Sequence, residues 1–167
     1  TITTSLVTAS FTANPDSGTV PLGVNFNNTS SGATSYEWNL GNGDTTNAFD
    51  PTTVYNNTGL YTVELIATNS YGCSDTAYER VNVYEKAMLI VPNVFSPNGD
   101  DKNDVFKVQS KGIATFDAQI FDRWGIKVFE WNNVNDGWDG QTKHGAAPSG
   151  TYYYLINATG ADGKQYQ

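Results

Sequence analysis

The chain has 167 residues, of which 17 are acidic and 9 are basic, so its formal charge is −8 at pH 7. A nucleic-acid partner is bound chiefly through Lys and Arg, and this acidic balance argues against one. No apolar run approaches the roughly 20 residues needed to cross a bilayer, so no membrane-spanning segment is expected. Thr, Val, Asn, Gly and aromatic residues are abundant, and apolar residues alternate with period two along most of the chain. An all-β protein is therefore predicted.

The first half of the chain predicts a β-sandwich. Clusters of Asn, Gly, Asp and Pro separate several alternating stretches, as the turns of a sandwich require. Trp38 is expected to anchor the core from its strand, and the following Gly41-Asn42-Gly43 suits a tight hairpin. Strands are predicted at residues 24–26, 36–40, 61–67 and 81–83.

This tryptophan strand with its glycine-rich hairpin resembles the hallmark of the PKD family. The resemblance covers residues 8–85 and implies an Ig-type β-sandwich over residues 1–85 that serves as a spacer or stalk. One departure is Asn42, where an Asp is common in the family. Further family-like positions follow in order: Pro51, Tyr55, Gly59, Tyr61, Val63, Leu65, Asn69, Gly72 and Cys73.

A second unit with different motifs begins at about residue 86. A loop of turn residues from Pro97 to Asp104 is the most specific string in the chain. Alternating Phe116, Ala118 and Ile120 lead into Asp122-Arg123-Trp124-Gly125, which predicts a hairpin. A Trp-Asp-Gly turn at 137–140, a tyrosine-rich strand and a last hairpin near 160–163 follow.

The ordered series of an Asn-Gly-Asp loop, an Arg-Trp-Gly hairpin, a Trp-Asp-Gly turn and a Pro-x-Gly-Thr-Tyr-Tyr-Tyr strand is similar to the gliding-motility-associated C-terminal domain. In that family it is the type B sorting domain of type IX secretion. The resemblance implies a second sandwich over residues 86–167, and hence two consecutive Ig-like domains. The family usually closes with one further strand, so this domain is expected to lack its last strand and to leave an open sheet edge suited to strand addition.

The resemblance implies that the second domain is a secretion signal, which directs its protein through the periplasm to the cell surface or the medium. Its partners would be the outer-membrane translocon of the type IX system and a porin-like accessory protein of the PorP/SprF kind. A monomer is expected. For each candidate contact residue, maintenance of the fold is the alternative role, above all for the two tryptophans. These candidates are Asn98, Asp100, Asn103, Asp104, Arg123, Trp124, Trp138 and Asp139.

The loop before Val105 also admits a calcium hypothesis. Asn98, Asp100 and Asp104 place oxygen atoms at alternate positions, as Ca²⁺ requires. Lys102 lies where a further oxygen would be wanted, and its ammonium would repel the ion. The favoured interpretation is that these side chains bond their own backbone in Asx turns. No other cofactor is expected.

A catalytic role is not predicted. Asp136, Asp139 and Asp162 could supply an acid and a base for glycoside hydrolysis, but each lies beside a glycine in a turn. His144 is the only histidine, and no Ser or Cys nucleophile motif lies near it. The remaining alternative is an adhesin module that binds carbohydrate or protein. Tyr152 to Tyr154 cannot all face inward, so some aromatic surface is expected to be exposed.

Overall fold

The computed structural model describes residues 6–167, and all of its regular secondary structure there is β-strand. The all-β prediction is confirmed. The chain folds into two compact units, and the boundary between them lies between Tyr84 and Glu85. The predicted start of the first domain, Thr1, lies outside the described residues. Within them, no helix has the length and hydrophobicity of a membrane span.

The first unit is a sandwich of two sheets. The strands of this unit are β1 (Phe11–Asn14), β2 (Ser17–Thr19), β3 (Leu22–Asn28), β4 (Ser35–Asn39), β5 (Thr45–Thr46), β6 (Thr52–Tyr55), β7 (Gly59–Thr68) and β8 (Ser74–Tyr84). A three-stranded sheet has the order β1-β3-β6, and a five-stranded sheet has the order β2-β8-β7-β4-β5.

The core of this unit follows the predicted alternation. Along β3 every second residue is buried, which turns Val24 and Phe26 inward. Trp38 is buried on β4, and its indole N–H donates to the Ala48 carbonyl at 2.9 Å, so no polar atom of the ring is left unpaired. The hairpin after β4 closes with the N–H of Leu40 bonded to the Asp44 carbonyl. The predicted role of this motif in the core and the turn is confirmed.

The second unit is built around an antiparallel four-stranded sheet of order β12-β11-β15-β16, with two short ribbons, β9-β10 and β13-β14. Glycines at positive φ close the predicted hairpins at Gly125 and Gly163. Its strands are β9 (Met88–Ile90), β10 (Gln109–Lys111), β11 (Ile113–Phe121), β12 (Lys127–Trp131), β13 (Gln141–Thr142), β14 (Gly145–Ala146), β15 (Tyr153–Gly160) and β16 (Gln165–Tyr166).

A register shift between Ile120 and Phe121 sets the core of the second unit. It places Phe129 opposite Ile120 and Trp131 opposite Ala118. Because residues paired on neighbouring strands share a sheet face, both rings join the buried cluster. Val128 packs against the same cluster, and Glu130, between the two rings, is exposed.

The edge of β15 is only partly covered. The short β16 pairs with Ala158 and Thr159, and among the described residues no other strand lies on that side of β15. The expectation that residues 86–167 lack the family's last strand stays a prediction.

Candidate functional site

The loop that follows Phe95 is organised by one carboxylate. Asp104 Oδ1 accepts the backbone N–H groups of Asn98 and Gly99, each at 2.8 Å, and its Oδ2 accepts that of Asp101 at 2.8 Å. Three amide donors converge on one side chain, and bonds of this kind to an ionised acceptor are about twice as strong as neutral ones. Asp101 and Asn103 adopt left-handed conformations with φ of 62° and 53°, which Asp and Asn tolerate better than other residues with side chains. The loop is thus fixed by its own sequence.

The other polar side chains of the loop also bond within it. Asp100 Oδ1 accepts the N–H of Lys102 at 2.9 Å, and Asn98 Oδ1 accepts that of Asp100 at 3.2 Å. These are the Asx turns that the sequence favours over calcium. Among residues 6–167, no group of three or more His, Cys, Asp or Glu side chains has an arrangement that could hold a metal ion. Calcium binding at Asn98, Asp100 and Asp104 stays a hypothesis.

The hairpin between β11 and β12 presents an exposed tryptophan. Asp122 Oδ1 accepts the N–H groups of Trp124 and Ile126, both at 2.9 Å, and so fixes the tip. The side chain of Trp124 is 76% exposed, and the Arg123 guanidinium lies over its ring at 5.3 Å from the centroid. Arg123 also lies against Gly150, where a Cβ would come within 2.5 Å of its Nη2. Trp124 is the most exposed tryptophan of the described residues.

Trp138 is a core residue. Its side chain is 1% exposed, and the indole N–H donates to the Gln141 carbonyl at 2.8 Å. Its backbone exchanges two hydrogen bonds with Phe106. Of the two roles predicted for Trp138, maintenance of the fold therefore applies, because a buried ring cannot reach a partner. Asp139 beside it is exposed, with Oδ1 accepting the N–H of Gln141 at 2.9 Å.

The structure does not gather the predicted contact residues into one pocket. Asn98 and Trp138 line a cleft of about 620 Å³, with the tyrosines that lead into β15 on its wall. The cleft forms because the loop packs on the Trp138 turn: a Cβ on Gly140 would lie 2.9 Å from Pro97 Cγ. The other candidates do not line this cleft: Asp100, Asn103, Asp104, Arg123, Trp124 and Asp139.

Two features escaped the analysis of the sequence. Tyr153, 60% exposed, pairs with Phe121 and adds an aromatic ring to the surface of the sheet. The expectation that the tyrosine run exposes some aromatic surface is met by Tyr153 and by Tyr154, which is 48% exposed. Alternation alone could not have identified two neighbouring exposed rings. Asp162 bonds the N–H of Ala87, a residue 75 positions away, and no local pattern predicts such a pair.

Comparison with protein families assigns both halves of the chain. Residues 6–83 match the family model of the PKD domain, and residues 89–167 match that of the CHU_C type IX secretion signal domain. The chain is a PKD domain followed by a type IX secretion signal domain. Both resemblances noted in the sequence are thereby confirmed, with the Ig-like sandwich fold that they implied.

Several known proteins are similar to this chain. The PKD1 domain of Vibrio anguillarum Epp is 28% identical with a TM-score of 0.41, and the match covers 48% of this chain and 95% of that domain. The PKD1 domain of the Vibrio cholerae metalloprotease PrtV is 34% identical with a TM-score of 0.40, covering 47% of this chain and 95% of that domain. Collagenase ColA of Clostridium perfringens is 29% identical over 138 residues, which cover 77% of this chain and 12% of the collagenase. The chain therefore spans only about an eighth of that relative.

The type IX secretion signal domain is a sorting signal, and the PKD domain is its spacer. The signal interacts with the type IX secretion machinery and sends the protein to the cell surface or out of the cell. Neither domain is of a catalytic type.

Proposed function

We propose that the sorting signal is read as a folded surface by the outer-membrane translocon of the type IX system, together with a porin-like accessory protein of the PorP/SprF kind. The exposed ends of its motifs make the contact. The hairpin tip with Arg123 and Trp124 is the main contact. The polar residues of the other motifs are further contacts: Asn98, Asp100, Asn103, Asp104 and Asp139.

The observation that carries this proposal is the exposure of Trp124 on a tip that Asp122 fixes. Tryptophan and arginine are the residues most enriched among those that dominate binding energy at protein interfaces. A large ring on a fixed turn also loses little conformational entropy when it binds. Core packing does not explain why the Trp124 indole is exposed to water beside the Arg123 guanidinium, so recognition of a partner is the better explanation for these two residues.

The test is export of a fluorescent reporter fused to residues 86–167 and to any residues that follow them in the full protein. The host is compared with and without the type IX system. We expect surface or medium fluorescence that depends on the system and that falls about tenfold or more in the Trp124→Ala variant, as for a residue that dominates an interface. Tyr153→Ala is the matched control, because it removes another exposed ring from the same sheet.

Retention of the folded reporter in the periplasm in both hosts would overturn the sorting role of this segment. Export that depends on the system but is equal for Trp124→Ala and Tyr153→Ala would leave the sorting role standing and remove the hairpin tip from the interface. If export falls in Trp124→Ala and not in Tyr153→Ala, cross-linking from position 124 identifies the partner, and a cross-link to the porin-like accessory protein is expected.

The signal and its spacer are proposed to have no enzymatic activity of their own. The carboxylates of Asp139 and Asp162 are bonded to neighbouring backbone amides, a role that needs no chemistry. We expect no glycoside turnover from the purified chain. Turnover that disappears in Asp136→Asn or Asp139→Asn would contradict this.

An adhesin function of the PKD domain is the second candidate, and Tyr78 favours it. The ring lies on the outer face of the five-stranded sheet, 61% exposed, opposite Glu64, whose Oε1 accepts its hydroxyl at 2.8 Å. An aromatic face beside a carboxylate can stack on a sugar ring and bond its hydroxyl groups. Collagen is a second ligand to try, since one relative is a collagenase by name. Retention on polysaccharide or collagen columns that is lost in Tyr78→Ala but kept in Tyr71→Ala would support this candidate.

A further inference from the structure

The first residues of the sorting signal are held down by its last hairpin. Ala87 is buried, and its backbone N–H donates to Asp162 Oδ2 at 2.9 Å. The other oxygen of the same carboxylate accepts the N–H of Lys164 at 3.0 Å, inside the turn that joins β15 to β16. One side chain therefore links the start of the domain to a turn 75 residues later.

Asp162 is charged when it makes this link. The hydrogen bonds from the backbone N–H of Ala87, first, and then of Lys164 hold the pKa of Asp162 below its ordinary value. The carboxylate is therefore ionised at neutral pH, and hydrogen bonds to a charged acceptor are the stronger kind.

Two glycines make room for the same segment. A Cβ on Gly160 would overlap the Cβ of Ala87, and a Cβ on Gly112 would lie 2.9 Å from the Glu85 carbonyl oxygen. Gly112 also has a φ of 61°, which favours glycine over any residue with a side chain. The N–H of Ala161 donates to the Gly112 carbonyl at 2.8 Å and so ties the two turns together.

We propose that these contacts form an entry clamp, in which Gly112, Gly160 and Asp162 hold residues 85–87, and that the clamp protects the peptide link between the sorting signal and the chain before it from proteolysis. Asp162 is its positioning residue. The benefit of this protection rests on the sorting function, because a signal that has been cut from its cargo cannot export that cargo. The clamp closes only when the last hairpin has formed, so an incompletely folded signal is left open to cleavage at this link.

The physical basis is local opening. A protease needs several residues in an extended conformation, and a docked segment supplies them only when it detaches. Lys86 is itself exposed, yet it is followed directly by the buried Ala87. Cleavage after Lys86 therefore requires that Ala87 leave its site and break the bond to Asp162. The rate of cleavage after Lys86 then follows the population of the state in which Ala87 is detached.

The experiment is limited trypsin digestion of the two-domain chain under native conditions, with the fragments identified by mass. The bond after Lys86 is compared with the bond after Lys143, which lies in an exposed turn far from the clamp in sequence and serves as an internal reference. In Asp162→Ala we expect cleavage after Lys86 to accelerate about tenfold, the effect of losing a charge-assisted bond, while cleavage after Lys143 is unchanged. Asp162→Asn retains one acceptor oxygen and should show a smaller effect.

Gly160→Ala is the second variant, because its added methyl group would overlap both the Cβ of Ala87 and Oδ1 of Asp162, and so disturbs the clamp while Asp162 stays in the sequence. Asn133→Ala is the matched control, because the Asn133 side chain accepts the N–H of Asn135, two residues on, as a local turn bond of the same kind. A selective increase after Lys86 in variants that keep the wild-type melting temperature supports the clamp. Equal rates after Lys86 in wild type, Asp162→Ala, Asp162→Asn and Gly160→Ala would overturn it, and so would increases found only together with faster cleavage after Lys143. The readout does not involve export, so failure of the sorting role would leave this result untouched.

Discussion

The two domains differ most in how their charges are distributed. The second domain nearly balances ten acidic residues against eight basic ones. The first is almost purely acidic, with Arg80 as its one basic residue up to Tyr84. Its acidic residues are Asp16, Glu37, Asp44, Asp50, Glu64, Asp75 and Glu79. A uniformly acidic surface repels other acidic surfaces and suits a spacer, whereas a mixed surface can offer complementary charges to a specific partner.

The domains also use their motif residues differently. In the PKD domain the motif residues serve the fold: Trp38 and Tyr55 are buried, and the glycines after Trp38 close a hairpin. In the sorting signal the motifs divide between the two roles. Trp138 is buried while Trp124, in an equally specific motif, is exposed. A residue of a conspicuous motif is therefore evidence of a binding function only if it is exposed, because the packing of the core already explains the buried ones.

The largest expected effect separates these two tryptophans. Trp138 packs against the rings of Phe95, Phe129 and Tyr152 at centroid distances of 5.2, 6.5 and 5.1 Å. Trp138→Ala should destabilise the sorting signal by about 3 to 5 kcal/mol, the usual cost of removing a buried aromatic side chain. Since a domain of this size has about 5 to 15 kcal/mol in all, a loss of this size is a large share of its stability.

Calorimetry checks this by resolving the unfolding of the sorting signal from that of the PKD domain, which should not move. Trp124→Ala is the control and should change the free energy of unfolding by no more than about 0.5 kcal/mol. A similar loss in both variants would show that the exposed tip supports the fold after all, and the distinction drawn between the two motifs would be wrong.

Alternation and turn chemistry were enough to predict the fold class, the inward residues of the PKD domain and the hairpins at Gly125 and Gly163. They could not predict the register shift after Ile120, because one extra residue in a strand leaves no mark on the composition. They could not find the bond of Asp162 to Ala87 either, since a pair so distant in sequence is created by topology. The oxygen atoms around Asp104 suit either a turn or an ion, and the sequence favours the turn because Lys102 interrupts them. The amide groups that donate to Asp104 could not be identified from the sequence, and they also favour the turn.

A pH titration tests whether the PKD domain depends on its buried polar anchor. Tyr55 is fully buried, and its hydroxyl donates to the Leu40 carbonyl at 2.7 Å. Burial, with smaller contributions from Tyr61 and Asp44, raises the pKa of Tyr55 from 10.0 to about 12. The folded state therefore holds the phenol proton more tightly than the unfolded state. Its stabilising contribution is complete below pH 10 and is lost as the pH rises from 10 to about 12.

The expected loss across that window is about 2 to 3 kcal/mol. Urea unfolding of wild type and Tyr55→Phe at a series of pH values measures it as the difference between the two curves. Tyr55→Phe should be less stable at neutral pH by about 1 to 2 kcal/mol, because the Leu40 carbonyl loses its partner, and should lack the steep decline. Tyr71→Phe, at an exposed position, should follow the wild type. Parallel curves for wild type and Tyr55→Phe would show that the anchor contributes nothing that depends on its proton.

The smallest effect concerns the loop of the sorting signal that Asp104 organises. Asp104→Ala removes the acceptor of three backbone amides, but water can reach a partly exposed loop and replace it, so we expect a loss of only about 1 to 2 kcal/mol. Hydrogen exchange at the backbone amides of Asn98, Gly99 and Asp101 should quicken in this variant. Asp100→Ala should leave these amides protected, because Asp100 accepts only the backbone amide of Lys102 and the side-chain amide of Asn98. Calcium provides the opposing outcome. If the ion raises the melting temperature of the wild type and Asp104→Ala abolishes the rise, the oxygens serve a cation and the loop is a metal site; if calcium changes nothing, the three amides are the partners that Asp104 serves.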